Sequence, residues 1–71
     1  MQVKCTESRF PSLFAVGEIY DIETLISRTN DIQYVYDDDG DPWFFYNDLQ
    51  GSGFVDGAGG DGVPVARFVK R

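Results

Sequence analysis

At 71 residues the chain makes one domain, 1–71, of a size that buries only about 60% of its unfolded surface and therefore depends on a dense core. Eleven aromatic residues supply that core, while the single Cys5 excludes an intramolecular disulfide and the absence of His removes the usual zinc partner. The net charge of −6 is uneven: residues 31–61 hold eight aspartates and no basic group, a field that repels phosphate and disfavours direct nucleic-acid binding. The Arg67, Lys70 and Arg71 cluster is the basic exception and would give only weak, salt-sensitive contacts. No run approaches the ~18 apolar residues of a membrane span, and the opening residues lack a signal-peptide pattern. The expectation is a cytoplasmic protein of a reducing compartment.

In chain order, residues 1–6 alternate, with Val3 and Cys5 on one face and Gln2, Lys4 and Thr6 on the other, which predicts a first strand. Cys5 reads as a small buried hydrophobe, since no His is present to activate it and Lys4 is its one near basic neighbour. Residues 7–13 form a loop in which Pro11 pushes Phe10 toward an extended conformation. A turn at Gly17 then feeds a second strand to about Ile26, with Tyr20, Ile22, Thr24 and Ile26 alternating against Asp21, Glu23 and Leu25. A helix is the competitor, because Ile22, Leu25 and Ile26 also lie at helical spacing. The β-branched content favours the strand.

Residues 31–46 are a β-hairpin. Two aromatic, β-branched runs flank Asp39-Gly40, the dipeptide suited to a two-residue type I′ turn. That turn pairs Tyr36 with Trp43, Val35 with Phe44 and Tyr34 with Phe45. Ile32, Tyr34, Tyr36, Trp43 and Phe45 then face the core, while Val35, Phe44 and Tyr46 lie on the opposite face, which is either covered by other strands or offered to a partner. Beyond the hairpin, six of the twelve residues 51–62 are glycine, which predicts a mobile surface loop pinned at its centre by Phe54 and Val55. Residues 63–69 form the last strand, with Val65 or Phe68 and Val69 returning to the core and Pro64 marking an edge or a start.

The segments Val3-Lys4-Cys5, Phe14-Ala15-Val16-Gly17-Glu18-Ile19-Tyr20-Asp21-Ile22, Tyr34-Val35-Tyr36-Asp37-Asp38-Asp39-Gly40 and Phe68-Val69 together resemble small SH3-like β-barrel proteins encoded by bacteriophages and prophages. The resemblance spans most of the chain and implies an all-β fold: a five-stranded, strongly bent antiparallel barrel, with the glycine-rich loop before the last strand as its departure from the compact pattern. Its motifs are structural and bring no catalytic residue with them.

Sites of chemistry are correspondingly few. Asp37, Asp39 and Asp41 mimic the first three ligands of a calcium loop, but Pro42 replaces the required glycine, no glutamate stands at the twelfth position and no helices flank the run, so no metal is expected. The glycine run lacks the Lys-Ser/Thr and helix of a phosphate-cradling loop. With no His and one buried thiol, no nucleophile–base pair can be assembled, and neither enzyme activity nor a cofactor is expected. Binding remains. The expected contact surface combines Phe44, Tyr46 and Phe54, with Phe10 as a further candidate, and the carboxylates Asp37, Asp38, Asp39 and Asp41. The favoured expectation is a non-enzymatic phage-type accessory protein that binds and modulates or inhibits a bacterial host or defence protein, with the phage attribution resting on the resemblance. One alternative is an acidic mimic of nucleic acid that blocks a DNA- or RNA-binding protein. Another is a nucleotide-sequestering protein in which Arg28 or Arg67 meets the phosphate beside the glycine loop.

Overall fold

A computed structural model describes residues 1–29, 31–47, 52–56 and 63–71. Six antiparallel strands form a closed barrel in chain order: β1 (Gln2–Ser8), β2 (Ile19–Leu25), β3 (Ile32–Tyr36), β4 (Pro42–Asn47), β5 (Ser52–Val55) and β6 (Ala66–Lys70), with β6 returning to β1. The expected all-β barrel is present, with six strands in place of five. Alternation acts as predicted in β1 and the first half of β2, where Val3, Cys5, Tyr20 and Ile22 are buried, but Thr24 is exposed and Ile26, also exposed, lies beyond the end of β2. The strand reading of β2 holds over the helical one. The turn before it carries Gly17 at φ 92°, a conformation that favours glycine.

The core is an aromatic cluster around Phe14, which belongs to no strand and is fully buried. Its ring meets Tyr20, Phe68 and Trp43 edge to face at centroid distances of 5.5, 5.6 and 6.0 Å, and Phe45 packs on Phe68 at 5.7 Å. Such pairs add about 0.5–1.5 kcal/mol each beyond the area they bury. The loop that delivers Phe14 is held by its own turn, with the Leu13 and Phe14 amides donating to the Phe10 carbonyl at 2.8 and 3.0 Å.

The hairpin exists, but its register differs by one residue from the expected one. Tyr36 pairs with Pro42, Val35 with Trp43 and Tyr34 with Phe44. A type I′ turn requires positive φ at Asp39, yet among the described residues no non-glycine has it, and Gly40 alone at the tip does, at 87°. The Gly40 amide donates to the Asp37 carbonyl at 3.0 Å and the Asp37 amide to the Asp41 carbonyl at 2.9 Å. The loop is therefore three residues long, Asp38-Asp39-Gly40, a type I turn followed by a left-handed glycine.

The Asp37 side chain explains the choice. It points into the barrel end, only 6% exposed, where Oδ1 accepts from the Asp39 and Asp41 amides, both at 2.9 Å, and Oδ2 accepts from the Trp43 indole N–H at 2.8 Å. With Asp37 turned inward, period-two alternation turns Val35 inward as well and puts Tyr34 and Tyr36 on the outside. The predicted inward face is thus corrected on β3, where Val35 is fully buried and Tyr36 is 46% exposed, and upheld on β4, where Phe45 is buried and Trp43 half-buried. The Tyr36–Trp43 pairing does not occur.

The second correction concerns residues 51–62. Ser52–Val55 is a strand that bridges β4 and β6, through Tyr46 opposite Phe54 on one side and Phe54 opposite Arg67 on the other. Gly53 is buried there because a Cβ would run into the Phe45 ring, so this glycine serves close approach. The loop expected at Gly51 and at residues 57–62 lies outside the described residues. In β6, Phe68 is buried and Val69 is exposed, and Val65 is buried just before the strand.

Burial pushes the Asp37 carboxyl up, but the bonds from the Trp43 indole and from the Asp41, Asp39 and Gly40 amides outweigh it and hold the group below the usual carboxylate value. A carboxyl depressed on folding stabilises the native state above its unfolded value of about 3.9, and that contribution is lost as pH falls through the lower, folded value. In urea titrations Asp37→Asn is expected to cost about 1–2 kcal/mol at neutral pH and to flatten the loss of stability below pH ~4. Gly53→Ala should cost about 1–3 kcal/mol by overpacking against Phe45, read from the same titrations.

Candidate partner-binding face

Because β3 is turned over relative to expectation, its aromatic residues join those of β4 on the outer surface. Tyr34 lies opposite Phe44, and Leu25 of β2 lies opposite Ile32. Together with Tyr36 and Pro42 these side chains line an open hollow of about 490 Å³, with the edge of Trp43 in its wall. A second hollow of about 340 Å³, lined by Asp31, Gln33 and Tyr46 among others, shares Ile32 and Phe44 with the first. Phe44, 63% exposed, is therefore a ridge between two depressions. Leu25, at the end of β2, is 57% exposed. Apolar side chains of β2, β3 and β4 thus adjoin one another on the outer surface.

The rings are held in place by one another. Tyr34 and Tyr36 meet edge to face at 5.6 Å, and Tyr46 stacks on Phe54 at 5.4 Å with 23° between the planes. The neighbouring Tyr36, with slight desolvation and the charge of Glu23 adding to it, raises the Tyr34 hydroxyl above its ordinary value. The Tyr34 phenol stays a neutral donor at physiological pH.

The residues expected at the contact surface fall into two groups. Phe44 and Tyr46 are exposed on β4, and Phe54 is half-buried beneath Tyr46 on β5. Phe10 is exposed on the β1–β2 loop, apart from these strands. Of the carboxylates, Asp38, Asp39 and Asp41 are exposed. Asp37 is consumed by the turn and is not available to a partner. Asp38 accepts from the Tyr20 hydroxyl at 3.2 Å while its amide donates to the Leu13 carbonyl at 2.9 Å, so the hairpin tip is docked on the Phe14 loop. Among the described residues no group of three or more His, Cys, Asp or Glu is placed to hold a metal ion. Arg67 pairs with Glu7 at 3.5 Å on the exposed β1–β6 wall, whereas Arg28 lies on the β2–β3 connection, with β1 between their strands. The glycine loop beside which either arginine is expected to meet a phosphate lies largely outside the described residues.

Tyr34, Tyr36, Ile32 and Leu25 were not expected on this face. One sequence signal points to them: Asp37-Asp38-Asp39-Gly40 has Asp at the first and Gly at the fourth position of a type I turn, the pattern that produces the observed register.

Burial pushes the Cys5 thiol up, opposed by its bond to the Glu7 carbonyl at 3.4 Å and reinforced by the charge of Asp38, which leaves it a packed hydrophobe. Burial likewise raises the Tyr20 hydroxyl; the Ala15 amide, bonded to it at 2.8 Å, opposes the rise and Asp38 adds to it.

Fold and face together define a small closed antiparallel barrel that presents an aromatic outer surface. Compared with protein-family models, with curated proteins and with solved structures, the chain gives no significant match. No helix among the described residues is long and apolar enough to cross a membrane.

The two sides of β4 should respond oppositely to truncation. Phe44→Ala is expected to change the unfolding free energy by less than about 1 kcal/mol, since it removes an exposed cross-strand contact. Phe45→Ala, one residue on, should cost about 3–5 kcal/mol. Urea denaturation followed by Trp43 emission measures both.

Proposed function

We propose that this protein is a non-enzymatic, phage-type accessory protein with an SH3-like barrel, acting in the bacterial cytoplasm by binding and modulating or inhibiting a host or defence protein. The observation that carries the binding part is the exposed ridge of Phe44 between two hollows on a rigid sheet, a geometry suited to an interface hot spot. Aromatic anchors on strands lose little side-chain entropy when a partner closes over them. The phage attribution is supported by the sequence resemblance alone.

An acidic nucleic-acid mimic is the second reading, favoured by the concentration of carboxylates on β2–β4 and their connections. It is weakened by the loss of Asp37 to the core and by the apolar character of the surface between the charges.

Capture from bacterial lysate with the wild type and with a Phe44→Ala/Tyr46→Ala variant tests the proposal. A bound protein retained by the wild type and lost, by at least about tenfold, from a folded variant is the expected outcome. Capture that the variant leaves unchanged would count against this face. Capture that vanishes at high salt and survives loss of both rings would favour the mimic.

A further inference from the structure

Charge is not spread evenly around the barrel wall. Residues 19–47, which build β2, β3, β4 and their connections, hold seven acidic residues and one basic residue, whereas the rest of the chain holds five of each. The whole net charge of −6 therefore belongs to this segment, with five of its seven acidic residues in the connections beside the strands whose outer surface forms the apolar hollow. Glu23 stands opposite Tyr34 and acts on its hydroxyl, Asp31 lines the second hollow, and Asp41 directly precedes Pro42; all three are exposed. The one cation of the segment, Arg28, lies on the connection between β2 and β3.

From this we infer that the occupant of the face is a cationic polypeptide segment. It places an apolar side chain in the hollow against Phe44 and sets lysine or arginine groups against Glu23, Asp31 and Asp41. The inference rests on the reading above that this face binds a protein. A second copy of the chain docked through the same face would set −6 against −6. A single-stranded nucleic acid has bases to stack on Tyr34 and Phe44, but it brings its phosphates into the same acidic field. A cationic segment meets neither obstacle, and the faces of the exposed tyrosines attract an ammonium or guanidinium group in their own right.

Panning a random-peptide display library on the immobilised protein, with subtraction on Phe44→Ala, tests this directly. Enriched peptides should carry net positive charge and a large apolar residue. Synthetic copies should shift the emission of Trp43, the single tryptophan of the chain, which stands in the wall of the hollow. Their affinity should drop at least about tenfold on Phe44→Ala and about threefold on Glu23→Gln, and should weaken between about 50 and about 300 mM salt. If Phe44→Ala does not fold, Glu23→Lys at an exposed position makes the same test by charge reversal, and it should abolish binding of the basic peptides. Enrichment of acidic or uncharged peptides, enrichment of none, binding indifferent to these substitutions, or saturable quenching of Trp43 by a thymidine oligonucleotide would overturn the inference. Lysate capture that needs Phe44 and Tyr46 while the enriched peptides are not basic would remove the cationic occupant and keep the binding face; capture indifferent to both rings would remove both.

Discussion

The structure depends on one carboxylate. Asp37 is the one buried acidic side chain among the described residues, and it stays charged because three donors reach it: two amides of its own turn and the Trp43 indole across the hairpin. A buried carboxylate without such donors would be costly, and with them it fixes the geometry of everything attached. It sets the loop at three residues, the loop sets the register of β3 on β4, and the register decides which aromatics fill the barrel and which are left outside. Asp38 then ties the same tip to the loop that delivers Phe14, so the centre of the core and the end of the hairpin are fastened to each other.

How much of this is legible in the residues depends on whether a strand has two unlike faces. In β1 and β2 the inward positions Val3, Cys5, Tyr20 and Ile22 alternate largely with polar ones, and their orientation is readable from the pattern alone. In β3 the run Ile32-Gln33-Tyr34-Val35-Tyr36 offers apolar groups to both sides, so a shift of one residue changes little in the visible pattern. The decision passes to the turn, and the Asp39-Gly40 dipeptide suggests one loop length while a carboxylate two residues earlier selects another. That selection is signalled locally by Asp at the first and Gly at the fourth position of a type I turn, and it is reinforced by a contact with Trp43, six positions away.

Glycine poses a similar ambiguity. Its abundance between 51 and 62 reads as freedom, yet Gly53 is where it is for lack of a side chain, so that the Phe45 ring fills the space. Composition cannot separate these two uses, and a closing strand with glycine at the centre of its short span escapes a pattern search for that reason. The candidate face was legible in its β4 members, Phe44 and Tyr46, because they alternate with the inward Phe45 whichever way β3 lies, whereas Phe54 was legible only as an aromatic ring in a glycine-rich setting. Its β3 half required the register.

The confinement of the net charge to residues 19–47 also bears on how the molecule moves before it touches anything. A charge displaced from the centre of mass gives a permanent dipole, so an external field turns the barrel as well as pulling on it. Near a positively charged surface the β2–β4 side leads, and rotational search shortens at low ionic strength. Over a bilayer or nucleic acid of opposite polarity the same torque presents the side of β6 and β1, which carries Lys4, Arg67 and Lys70, instead.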